Sequence, residues 1–137
     1  MTSLPPAGEI PIRAEHDIVT ARRTVREVAT QAGFGITDVT RIVTAASELA
    51  RNVFKYAGEG VMRWNALNSG HQVGVELQFI DHGPGIADVN LAMEGGYSTG
   101  GGLGLGLPGA RRLADELEID TAIGKGTTVT LRKWRRK

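Results

Sequence analysis

The chain has 137 residues, 41% of them hydrophobic and 5% aromatic, which suits one domain with a largely aliphatic core. It has no cysteine, so disulfides, thiolate catalysis and cysteine-ligated zinc are excluded, and no apolar run reaches the ~20 residues that cross a bilayer. Sixteen basic against fifteen acidic side chains leave it near neutral, too weakly basic to read as a nucleic-acid binder. The opening text MTSLPPAGEIP lacks the basic and apolar regions of a signal peptide, so a cytoplasmic protein with no membrane partner is expected.

Glu9 to Glu15 alternates apolar and polar and predicts a half-buried strand, placed at a sheet edge by Pro11. Asp17 is then placed to cap a helix running to about Ala32, with Ile18, Val25, Val28, Ala29 and Ala32 at helical spacing; Gly33 and Gly35 stop it. Thr37 and Asp38 are placed to cap a second helix. Its stripe of Val39, Ile42, Val43, Ala46, Leu49, Ala50 and Val53 ends near Tyr56. Val61 to Asn68 and Val73 to Ile80 read as strands joined at Asn68-Ser69-Gly70. Pro108 suits the first turn of a third helix reaching Leu117, and Glu118 to Ala122 and Thr127 to Lys133 form a hairpin around Ile123-Gly124-Lys125-Gly126. Paired strands and grouped helices predict an α+β two-layer sandwich, with helices on one face of a mostly antiparallel, mixed sheet, as a single domain over residues 1–137. The basic end, Arg132 to Lys137, reads as a solvated tail after the last strand. His16, His71 and His82 stand at no metal-ligand spacing and read as surface or structural residues; Trp64 and Trp134 read as packing residues.

The chemistry concentrates in four stretches. Residues 98–109, STGGGLGLGLPG, contain a literal GxGxxG at Gly104–Gly109, but a loop precedes it where the dinucleotide fingerprint needs a strand. Arg111 stands where a kinase glycine loop has valine, and Gly124-Lys125-Gly126 lacks the hydroxyl residue of a Walker loop. Glycines still let backbone N–H groups approach anionic oxygens closely, and this run feeds a helix N-terminus. On the second helix, Glu48 and Asn52 are four residues apart and project from one face, a carboxylate and an amide able to serve a magnesium–phosphate centre. Asp81-His82-Gly83-Pro84-Gly85-Ile86 follows a strand, where a carboxylate can accept from an exocyclic amine and glycines admit a flat ring. Gly124 to Thr128 lies in the last hairpin.

Together, and in this order, the four stretches resemble the nucleotide-binding boxes of the GHKL ATPase/kinase superfamily, which has the Bergerat fold; the likeness spans about Ala45 to Thr128. It implies ATP and Mg²⁺ as cofactors. By the same likeness Asn52 holds magnesium and Glu48 is the general base. Asp81 reads the adenine amino group beside Gly83 and Gly85, while Gly102, Leu103, Gly104, Leu105 and Gly106 wrap the phosphates, and Gly126 and Thr127 close the adenine pocket. Only about fourteen residues separate Ile86 from the glycine run, so the lid, expected over Met93 to Gly102, is small. Short chains of this kind resemble the single-domain serine/threonine switch kinases of the bacterial stressosome. The likeness implies phosphorylation of STAS-domain scaffold proteins, then activation of a PP2C-type phosphatase. The alternative is a nucleotide-binding anti-sigma factor that sequesters a sigma factor.

Overall fold

The computed structural model describes residues 4–86 and 107–135. In chain order these form β1 (Gly8–Ile12), α1 (Glu15–Gln31), α2 (Ile36–Asn52), a π-helical turn (Val53–Ala57), β2 (Gly60–Asn68), β3 (Val73–Asp81), α3 (Leu107–Leu113), β4 (Glu116–Ala122) and β5 (Gly126–Trp134). The strands make one sheet of order β1-β2-β3-β5-β4, and every pairing among the described residues is antiparallel. The expected α+β sandwich is present, with β1 and Pro11 at an edge, where a residue without an N–H is tolerated.

Period-two alternation decides the layers. Val75, Leu77 and Phe79 of β3 and Val129 and Leu131 of β5 are buried in one core with the stripes of α1 and α2. The opposite face is charged. Arg132 reaches Glu76 and Glu118 at 2.8 Å and Glu116 at 3.3 Å, and Arg63 reaches Glu9 at 2.9 Å. The hydrogen bond to Glu76, then that to Glu118, raises the Arg132 pKa above its ordinary value. Among the described residues no helix is long and apolar enough to cross a membrane.

Several boundaries differ from the sequence expectation. β1 ends at Ile12, and α1 starts at Glu15 with Ala14 as its N-cap, so Asp17 lies inside the first turn rather than at the cap. Its carboxylate still satisfies helix-start donors, accepting the N–H of Arg13 at 2.8 Å and of Ala14 at 3.0 Å. The Arg13 bond is the largest cause of an Asp17 pKa below the ordinary carboxylate value. A depressed folded-state pKa contributes stability above the unfolded value, lost as pH falls through the folded one. Urea midpoints should therefore drop between about pH 5 and pH 3 by more in wild type than in Asp17→Asn, and parallel pH profiles would count against this.

Gly35, not Thr37 or Asp38, is the N-cap of α2; Asp38 lies in the first turn, 3.3 Å from Arg41. α3 stops at Leu113, short of Leu117. From Glu116 to Ala122 every residue belongs to the ladder with β5, and Leu117 pairs with Leu131. Of the basic end, the described residues Arg132 to Arg135 are not all solvated. Arg132 and Lys133 lie inside β5. Lys133 is only 4% exposed, with its ammonium 3.6 Å from Asp115 and 4.0 Å from Asp38. Arg135 donates to the Ala32 carbonyl at 3.1 Å, which satisfies an acceptor where α1 ends. Trp64 and Trp134 pack on the sheet as expected, with their indole N–H groups donating to the Pro6 carbonyl and to Glu116, each at 3.0 Å.

Candidate active site

Helix α2 carries its apolar stripe into the core down to Leu49 and Ala50, and its last residue, Asn52, emerges at the rim of a cavity. The π-helical turn follows at once and ends at Gly58, whose φ of 82° suits glycine. Such widened turns gather at functional sites; here Val53, Tyr56 and Ala57 form one wall. Phe79 and Val129, paired on adjacent strands, line the cavity as well, together with Ile86 and Leu107. The enclosed space is small, about 50 Å³, and continues into open solvent. Its walls are mostly aliphatic and aromatic. Among the described residues, Asn52, Asp81 and Thr127 bring polar side chains to it from three different elements, beside the phenol of Tyr56.

Asp81 ends β3, paired with Gly60 on one side and Thr127 on the other. Its Oδ1 accepts the N–H of Gly83 at 2.9 Å, the local bond by which aspartate shapes a turn. That holds the carboxylate at the cavity with Oδ2 unpartnered among the described residues. The following loop is tied down from the hairpin side. The Gly124 N–H donates to the Pro84 carbonyl at 2.9 Å, and the Ile86 N–H to the Thr121 hydroxyl at 2.9 Å.

The glycines of this region have work in packing as well as in any ligand approach. A Cβ on Gly83 would sit 2.7 Å from the Ala57 Cβ, so the loop lies directly on the π-helical turn. Gly126 has φ +92°, and a Cβ there would meet the Asp81 carbonyl oxygen and stand 2.7 Å from the His82 Cα. Gly85 lines the cavity and lies equally close to the Ala122 carbonyl.

Of the residues singled out in the sequence, Asn52, Asp81, Gly85 and Thr127 line the cavity, and Gly83 and Gly126 pack immediately behind it. Glu48 stands one turn before Asn52 on α2, half-buried and outside the cavity lining. Gly102, Leu103, Gly104, Leu105 and Gly106, and the lid expected over Met93 to Gly102, lie outside the described residues. His16, His71 and His82 are all exposed. One residue escaped the sequence reading. Thr121 on β4 joins Ile86, Gly126 and Thr127 through a single hydroxyl. A threonine in an alternating strand carries no mark of that position; the only signal was its place across the hairpin from Thr127.

The residues suit a purine nucleotide with magnesium. Aliphatic walls fit a flat ring, and Asp81 offers an acceptor in the lining. Asn52 supplies the oxygen type that Mg²⁺ prefers, and Mg²⁺ commonly takes one or two protein ligands with the rest from phosphates and water. Among the described residues no cluster of three or more His, Cys, Asp or Glu could hold a metal alone.

Comparison with known proteins agrees with this geometry. Residues 10–133 match the family described as histidine kinase-like ATPase domain. The chain is 46% identical to the serine/threonine-protein kinase RsbT of Bacillus subtilis (strain 168), over 91% of this chain and 94% of that protein. It is 32% identical to the anti-sigma F factor of Thermoanaerobacter sp. (strain X514), over 83% of this chain and 82% of that protein. An anti-sigma F factor from Caldanaerobacter subterraneus subsp. tengcongensis shows the same identity and coverage. A match over most of the chain, on a fold that brings Asn52, Asp81 and Thr127 to one apolar cavity, leads to one conclusion: this chain belongs to the histidine kinase-like ATPase family.

Proposed function

We propose that this protein is an ATP- and Mg²⁺-dependent protein serine/threonine kinase of a bacterial partner-switching pathway, acting as a single domain. The observation that carries the reading is the meeting of Asn52, Asp81 and Thr127 at one apolar cavity, in a chain 46% identical to a protein named as such a kinase. In this reading Asp81 and Thr127 orient the adenine, Asn52 holds the metal, and the glycine run from Gly102 to Gly106 contacts the phosphates. Bound Mg²⁺ neutralises the charge that develops on the phosphate oxygens. Glu48, one helical turn from Asn52, accepts the proton of the substrate hydroxyl. Phosphoryl transfer needs mainly positioning and electrostatic stabilisation, so few protein groups suffice.

The substrates proposed are STAS-domain scaffold proteins, and the protein then activates a PP2C-type phosphatase. The anti-sigma F relatives, at 32% identity, favour a second reading in which the nucleotide-bound fold sequesters a sigma factor. The test is transfer of labelled γ-phosphate from Mg-ATP to a purified STAS-domain protein. Transfer to a serine or threonine is expected. A stable complex with a sigma factor and no transfer would favour the second reading.

A further inference from the structure

We infer that Thr121 is a positioning residue for the base pocket: it makes the Thr127 hydroxyl a fixed hydrogen-bond acceptor, so that the pocket selects a purine with an amino group at its six-position over one with an oxo group. This rests on the nucleotide-site reading above. Thr121 and Thr127 face each other across the β4–β5 pair, with their hydroxyls 2.9 Å apart. A threonine hydroxyl has one proton and two lone pairs. The Thr121 proton goes to the Gly126 carbonyl at 3.0 Å, and its oxygen receives the Ile86 N–H at 2.9 Å. With that proton committed, the contact between the two hydroxyls requires Thr127 to donate.

The consequence lies in the cavity. Thr127 is 8% exposed and lines it, but its proton is turned away toward Thr121, which leaves lone pairs facing inward. Asp81 reinforces that polarity, since a carboxylate has acceptors alone and its Oδ1 is already held by Gly83. Two acceptors on adjoining strands match the two protons of an exocyclic amino group at the six-position. An oxo group at the same place meets lone pairs from both. Thr121 also ties the loop after β3 to the start of β5, so the polarity and the position of the wall are set by one hydroxyl.

The experiment compares affinities of the full chain for ADP and inosine diphosphate, which differ in the six-position group. Wild type should prefer ADP. In Thr121→Val the Thr127 proton is released to turn inward, and the ADP-to-inosine-diphosphate preference should narrow by about threefold to tenfold, the range for one net hydrogen bond. Thr121→Ser restores the hydroxyl and should restore the preference. If Thr121→Val weakens both nucleotides equally, Thr121 only supports the fold and the inference is wrong. Should that variant fail to fold, Thr127→Val removes the same oriented acceptor, and an unchanged preference there overturns the inference as well. Wild type that binds neither nucleotide would instead remove the nucleotide-site reading and this inference with it. ADP binding with an unchanged preference in the valine variants removes the inference about Thr121 and Thr127 and leaves the nucleotide-site reading standing.

Discussion

Replacing Glu48 with alanine should lower phosphotransfer by about 10²–10⁴-fold, the usual contribution of a general base, while nucleotide affinity changes by less than about threefold. The separation follows from placement. Glu48 stands outside the cavity that Asn52, Asp81 and Thr127 line, one turn back along α2, so its loss takes nothing from the base-binding walls. It is half-buried on a helix whose neighbours Leu49 and Ala50 are in the core, which gives it a rigid mount. Single-turnover transfer from labelled Mg-ATP measures the first quantity, and equilibrium titration with ADP the second. Wild-type transfer in the variant would remove Glu48 from the role of base. Equal losses of binding and transfer would make it a binding residue instead.

Gly126→Ala should destabilise the protein by about 2–4 kcal/mol, whereas Gly124→Ala, two residues earlier in the same hairpin, should cost about 1–2 kcal/mol. Both glycines have positive φ, +92° and +79°, which alanine adopts with difficulty. They differ in surroundings. A Cβ on Gly124 meets nothing within 4 Å, while on Gly126 it would press on the backbone of Asp81 and His82, which cannot rotate away as a side-chain tip would. The same displacement would move Thr127 from its register opposite Asp81, so ADP binding should fall along with stability in Gly126→Ala and survive in Gly124→Ala. Urea unfolding monitored at the two tryptophans, followed by ADP titration, checks both. Equal destabilisation in the two variants would show that backbone conformation alone, and not close approach, makes glycine necessary at Gly126.

The layers of the fold were legible because they depend on local period. The α2 stripe from Val39 to Val53 is buried throughout, and β2 and β3 begin and end within a residue of where alternation places them. The edge position of β1 was readable from Pro11, since a missing N–H has the same consequence in any sheet. Asn52, Asp81 and Thr127 could be singled out because amide, carboxylate and hydroxyl at those spacings match a known order of boxes. Their convergence was another matter, since it depends on the pairing of Asp81 with Thr127 across 46 residues of chain.

What escaped the sequence was what long-range partners decide. Helix α3 stops at Leu113 because β5 offers Glu116 onward a ladder, and tertiary pairing outweighs a weak helical preference. The basic end reads as solvated until Lys133 is seen between Asp38 and Asp115, from the starts of α2 and β4. Thr121 has no local mark at all; its one proton acquires meaning when folding sets Gly126, Thr127 and Ile86 around it. Residue pattern alone determined which segments are helices and strands, because burial period is a property of the segment itself, while the candidate nucleotide residues came from the likeness of four stretches to a known order of boxes. The tertiary structure alone decided where α3 ends, which charges are buried, and which way a buried hydroxyl points, because each depends on a partner distant in the chain.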